Sequence, residues 1–117
     1  GFAIPSFNIT SSSTANAVME AAAQSKSPVA IQLSNGGGAF YCGKSIDNAN
    51  QKASVAGSLS AAHHVHQLSQ VYGIPVILHT DHCAKKLLPW LDGLLDANET
   101  YFKSTGKPLF SSHMIDQ

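Results

Sequence analysis

The sequence predicts an α/β fold on a parallel sheet and, within that class, the first half of a (β/α)8 TIM barrel. Three observations lead there. Short apolar runs alternate with segments of helical period, a pattern that calls for parallel strands joined by helical crossovers. Each run ends in polar residues: Asn8, Ser34, Asp81-His82 and Asp116 stand just past four consecutive predicted strands. In a barrel such positions converge on one mouth, whereas a doubly wound sheet gathers its ligands at a single switch point. A whole barrel needs about 250 residues, and this chain has 117. Residues 1–117 therefore read as one partial barrel of four βα-type units, truncated at both ends.

Each element follows from local chemistry. Ala3 to Phe7 is the first strand, weakened as a central one by Pro5, which donates no ladder hydrogen bond. Thr10 to Thr14 supplies the hydroxyls that cap a helix, and Ala15, Val18, Met19, Ala22 and Ala23 follow at helical spacing. Pro28 restarts the chain; Val29 to Leu33 is the second strand, closed by Ser34-Asn35-Gly36-Gly37-Gly38. Residues 39–52, polar and Asn-rich after Phe40-Tyr41, read as a loop. Ala53 to Val71 is the second helix, with Val55, Leu59, Ala62 and His66 along one stripe; Gly73 suits its C-terminal cap and Pro75 forbids continuation. Pro75 to Leu78 is the third strand, ending in His79-Thr80-Asp81-His82. A third helix starts near Pro89, which suits a first turn, and buries Leu87, Leu91, Leu94, Leu95, Tyr101 and Phe102. Gly106 and Pro108 close it, and Leu109-Phe110 opens a fourth strand with its tip at His113 to Asp116.

Composition narrows the function. Hydrophobic residues make up 44% of the chain, an ordinary share, but charged residues only 12%, about half the usual quarter. That shortage indicates a surface that largely faces other protein. Seven basic residues balance seven acidic ones, which removes the electrostatic footprint of a nucleic-acid or membrane-surface binder. Apolar runs such as Val76-Ile77-Leu78 are too short to span a bilayer, and no secretory signal opens the chain. Two cysteines, Cys42 and Cys83, without such a signal read as reduced thiols in the cytoplasm.

Asp81-His82 is the sharpest chemical feature. A carboxylate beside an imidazole at a strand end supplies a general acid/base and a metal ligand. The same pair also suits a capped turn with a polar loop residue. His63, His64 and His66 resemble a metal cluster, but adjacent helical residues point about 100° apart, so they cannot meet at one ion. His66 is expected against the barrel and the other two against a neighbouring segment. Gly36-Gly37-Gly38 can present backbone N–H groups to a phosphate or form a plain turn, and has neither P-loop nor dinucleotide spacing. Lys85-Lys86 can hold an anion or stay solvated; neither sits on a strand, which weakens a Schiff-base mechanism. Cys83 reads as an inert thiol.

Longer stretches carry a resemblance. Pro75-Val-Ile-Leu-His-Thr-Asp-His-Cys-Ala-Lys-Lys-Leu-Leu-Pro-Trp90 resembles the signature of class II, zinc-dependent fructose-bisphosphate aldolases. Phe110-Ser-Ser-His-Met-Ile-Asp116, Leu33-Ser-Asn-Gly-Gly37 and Ala3-Ile-Pro-Ser-Phe-Asn8 resemble further blocks of that family, in order. The resemblance implies a (β/α)8 barrel, a homodimer at full length, and reversible cleavage of fructose 1,6-bisphosphate to dihydroxyacetone phosphate and glyceraldehyde 3-phosphate. By the same resemblance Asp81 is the acid/base for the C4 hydroxyl, and His82 is the first of three histidine ligands of Zn2+. Asp116 matches a ligand of a second, outer cation position, divalent or monovalent. Ser34 matches a substrate-phosphate contact, and Asn8 lines the substrate site. The remaining ligands and phosphate loops of the family fall beyond Gln117, so the fragment alone is expected to be inactive. The alternative is a small non-catalytic α/β domain that binds metabolites or protein.

Overall fold

The computed structural model describes residues 4–115 and, of His82, Met114 and Ile115, the backbone only. Asp116 lies outside the described residues. Four parallel strands form one sheet in the order β1-β2-β3-β4: β1 (Ser6–Asn8), β2 (Val29–Leu33), β3 (Val76–Cys83) and β4 (Ser112–Ile115). Between them run the helices α1 (Ser12–Ser25), α2 (Asn35–Tyr41), α3 (Lys52–Tyr72) and α4 (Leu88–Thr105). Sequential strands that pair parallel through helical crossovers are the arrangement of a barrel wall.

The helices begin and end where side-chain chemistry directs. Ser11 caps α1 in a reciprocal box with Thr14, and α1 buries Ala15, Met19 and Ala22. Gly73 and Gly106 close α3 and α4 in the left-handed conformation, at φ of 71° and 76°, which glycine adopts without a Cβ clash. Pro89 falls in the first turn of α4. On β2, Val29, Ile31 and Leu33 are buried while Ala30 and Gln32 are half-buried. This alternation turns one face of the sheet to the helices and the other to the barrel interior. Ile31, Leu33, Leu78, Met19, Leu94 and Trp90 lie in the core between sheet and helices.

Several expectations need correction. Residues 39–52 are not one loop, since α2 runs through Tyr41 and a short 3-10 turn spans Ala49–Gln51. Gly36, Gly37 and Gly38 lie inside α2 rather than in a turn. A Cβ on Gly57 of α3 would collide with the Gly38 carbonyl, and one on Gly38 would meet Ser54 and Ser58, so Gly38 serves close helix packing, while Gly36 faces open space. On α4 the buried residues are Trp90, Leu91 and Leu94, whereas Leu95 and Phe102 are 45% and 54% exposed. β3 is longer than expected and includes Asp81-His82 within the strand rather than past it. β1 starts at Ser6, and Leu109-Phe110 are buried ahead of β4 rather than inside it.

Candidate active site at the carboxyl edge of the sheet

The parallel register sets which residues share a level. Asn8 pairs with Gln32, Gln32 with His79, and His79 with Ser112. These four stand in one row across the sheet, on the face opposite Ile31 and Leu33. Gln32 and His79 were not singled out by sequence reasoning. Strict alternation along β2 and β3, followed from strand to strand, is the signal that places them beside Asn8.

Ser34 follows β2 directly and caps α2, its Oγ accepting from the Gly37 N–H at 3.0 Å. The hydroxyl hydrogen is not used in that bond. Gly37 is needed there, because a Cβ would press on the Ile9 carbonyl and on Ser34 Oγ, both at 3.1 Å. Asn35 next to it is tied into the start of α3. Its Nδ2 donates to Gln51 Oε1 at 2.9 Å and its Oδ1 accepts from Ser54 Oγ at 3.3 Å.

Asp81 lies near the end of β3 and is 6% exposed. Just before it, two side-chain bonds join β3 to β4. His79 Nδ1 and Ser112 Oγ are 2.6 Å apart, as are Thr80 Oγ1 and His113 Nδ1. Burial pushes the His113 imidazole below its ordinary value, and the nearby His79 adds to this. His113 is therefore held neutral to lower pH than a solvated histidine. Lys85 and Lys86 follow β3 in a one-turn 3-10 segment and are exposed. Cys83 is fully buried.

Of the histidines of α3, His63 and His66, three residues apart, share the Tyr101 ring of α4, while His64 turns away. His64 Nε2 meets Asn16 Oδ1 of α1 at 2.8 Å, and His66 Nε2 meets the Leu109 carbonyl at 2.6 Å. His63 packs edge-on against Tyr101 of α4. Among the described residues, no three side chains of His, Cys, Asp or Glu gather as a metal site. The structure thus brings Asn8, Ser34 and Asp81 to the carboxyl ends of neighbouring strands. It leaves the His82 side chain and Asp116 undescribed.

Comparison with known proteins gives this edge its context. Residues 1–117 match the family described as Fructose-bisphosphate aldolase class-II. A fructose-bisphosphate aldolase from Saccharomyces cerevisiae is 61% identical over 115 residues, 98% of this chain and 32% of its own length. The class 2 fructose-bisphosphate aldolase of Escherichia coli K12 is 60% identical over 116 residues, again 32% of its length. The crystal structure of a fructose-bisphosphate aldolase from Campylobacter jejuni superimposes with a TM-score of 0.92 at 56% identity, covering 98% of this chain and 32% of that one. The chain spans about a third of the length of the relatives it matches. With the fold, the ordered motifs and the family match all covering the same residues, this chain belongs to the class II fructose-bisphosphate aldolase family.

Proposed function

We propose that this chain is part of a zinc-dependent fructose-bisphosphate aldolase, cleaving fructose 1,6-bisphosphate reversibly to dihydroxyacetone phosphate and glyceraldehyde 3-phosphate in glycolysis and gluconeogenesis. Class II membership brings a divalent-metal cofactor and sugar-phosphate substrates. The observation that carries the reading is the place of Asp81 and His82 at the carboxyl end of β3, in a chain matched by the family along its whole length.

His82 is the residue proposed to hold Zn2+, and Asp116 an outer divalent or monovalent cation. Imidazole nitrogen and carboxylate oxygen are suitable donors, but a catalytic zinc takes three protein ligands. On this reading the others lie in the part of the full-length protein that this chain does not span. When bound, zinc supplies a Lewis acid that polarises the ketone and stabilises the enediolate. Asp81 takes the C4 hydroxyl proton in cleavage and returns it in condensation. Its burial supports that role, since a carboxylate kept from bulk water exchanges its proton with the substrate rather than with solvent. Ser34 donates its unused hydroxyl hydrogen to a phosphate oxygen, and Asn8 lines the sugar. Sparse surface charge, 12% of residues, supports a homodimer at full length. No helix among the described residues is long and apolar enough to cross a membrane. The balanced charge gives no footprint for nucleic acid or a membrane surface, and the glycolytic relatives support a cytoplasmic enzyme.

The test is cleavage of fructose 1,6-bisphosphate by the full-length protein before and after dialysis against a chelator. Activity is expected to vanish with the metal and to return with added zinc. Cleavage that survives metal removal and is trapped by borohydride would mean an imine mechanism and would sink the proposal.

A further inference from the structure

The strand that carries Asp81 changes register with its neighbour at that residue. β3 and β4 are paired at His79↔Ser112 and Thr80↔His113, and again at Cys83↔Ile115. Between the last two pairs β3 holds one residue more than β4, so Asp81-His82 sits on a bulge. A bulge re-aims side chains but gives up ladder bonds that would otherwise fix the backbone. Something else has to locate the strand there.

Two side-chain bonds stand at the threshold. His79 Nδ1 reaches Ser112 Oγ and Thr80 Oγ1 reaches His113 Nδ1, each at 2.6 Å. Successive residues of a strand point to opposite faces, so one bond lies on the barrel-interior face and the other on the helix face. β2 pairs with β3 only as far as Thr80, so the two side-chain bonds to β4, one on each face, add ties at the last residues before the bulge. Thr80 is buried, and no ordered solvent can replace its partner without opening the core. The other ring nitrogen of His113, Nε2, is buried with no hydrogen-bond partner among the described residues. The Thr80 bond is therefore the polar tie that orients this ring.

We propose that Thr80, His113 and Ser112 are positioning residues that clamp β3 to β4 on both faces of the sheet and thereby fix the Asp81 carboxyl within the bulge. The inference rests on the reading of Asp81 as the acid/base of aldol cleavage. Positioning groups of this kind act through a neighbour, and losing one typically costs about 10–100-fold in activity.

The experiment uses the full-length, zinc-loaded protein with Thr80→Val, Thr80→Ser and Ser112→Ala. Zinc content, cleavage kcat and KM are measured together with solvent exchange of the carbon-bound proton of dihydroxyacetone phosphate, which does not need the C4 acid/base. Thr80→Val is expected to keep its zinc, lose about 10–100-fold in cleavage kcat with KM within about twofold, and keep most of the exchange. Thr80→Ser, which retains the hydroxyl, is expected to restore cleavage. Cleavage by Thr80→Val within twofold of the unsubstituted enzyme overturns the inference. So does exchange that falls as far as cleavage, or a Thr80→Ser variant as damaged as Thr80→Val. Should Thr80→Val not fold, the exposed Ser112→Ala decides: selective loss of cleavage supports the clamp, and unchanged cleavage overturns it. If the unsubstituted protein does not cleave the bisphosphate at all, the functional reading fails and this one with it.

Discussion

At the scale of single residues, Asp81 and Ser34 separate two kinds of work. Asp81→Ala in the full-length enzyme is expected to lower cleavage by about 10²–10⁴ while zinc stoichiometry stays at the unsubstituted level. Loss of zinc from that variant would make Asp81 a ligand or a support instead of the acid/base. Ser34 does two things in one place, because its Oγ accepts from Gly37 N–H while its hydrogen remains available. Ser34→Ala therefore removes a helix cap, worth about 0.5–2 kcal/mol, and the proposed phosphate donor at once. The comparison with Ser34→Asn, a good cap of different shape, isolates the second effect. KM for the bisphosphate is expected to rise about tenfold or more in the alanine variant, as the loss of a hydrogen bond to a charged group implies. An asparagine variant that matches the unsubstituted stability and KM, beside an alanine variant changed only in stability, would leave Ser34 a structural cap.

At the scale of elements, the helix–helix contact between α2 and α3 sets where Ser34 stands. Gly57 approaches the Gly38 carbonyl so closely that no Cβ fits between them, and Trp90 donates across to Ser58 Oγ at 3.1 Å on the same side of α3. Gly57→Ala is expected to push α2 away from α3, cost about 1–3 kcal/mol in denaturant unfolding, and raise KM through the displaced cap. A variant with unaltered unfolding midpoint and KM would show that the contact yields at no cost. This contact also explains what the sequence concealed. Three consecutive glycines have poor helix propensity, so Asn35–Tyr41 reads as a turn and loop; tertiary packing that only glycine permits overrides the local preference. The α4 error has a related cause. Leu95 and Phe102 keep helical period with the core residues, but periodicity registers apolar side chains without telling which neighbour covers them. By contrast, the helix ends were legible, because Ser11, Gly73, Gly106 and Pro89 act through local chemistry, and among the strands β2 was read with its bounds. The candidate site was legible at Asn8, Ser34 and Asp81, whose polarity breaks an apolar run. Gln32, Thr80 and His113 were not, since their meaning comes from register and cross-strand bonds.

At the scale of the whole molecule, the sheet has two apolar flanks. A cleft of 310 Å³ opens beside α1 and β1, lined by residues including Phe7, Ala17, Val18 and Ala21. On the other side, Leu88, Leu95 and Phe102 lie seven residues apart along α4, on the flank turned away from Val55 of α3, which packs at Gly93. Such surfaces, together with edges of β1 and β4 that no other described strand covers, are what monomeric proteins avoid. The 117-residue chain alone is expected to self-associate and to unfold without a sharp thermal transition. A monodisperse monomer with a cooperative transition in calorimetry would overturn the partial-barrel account of this segment. The α4 stripe also matters before any barrel exists. In the relatives this segment is about a third of the length, so most of such a chain is made before or after it, and synthesis adds about 5–20 residues per second. A nascent polypeptide that has emerged through α4 therefore carries these leucines and the phenylalanine uncovered for as long as the segments that cover them take to be made. The timing of translation thus becomes part of the folding problem, set by where three apolar side chains fall on one helix.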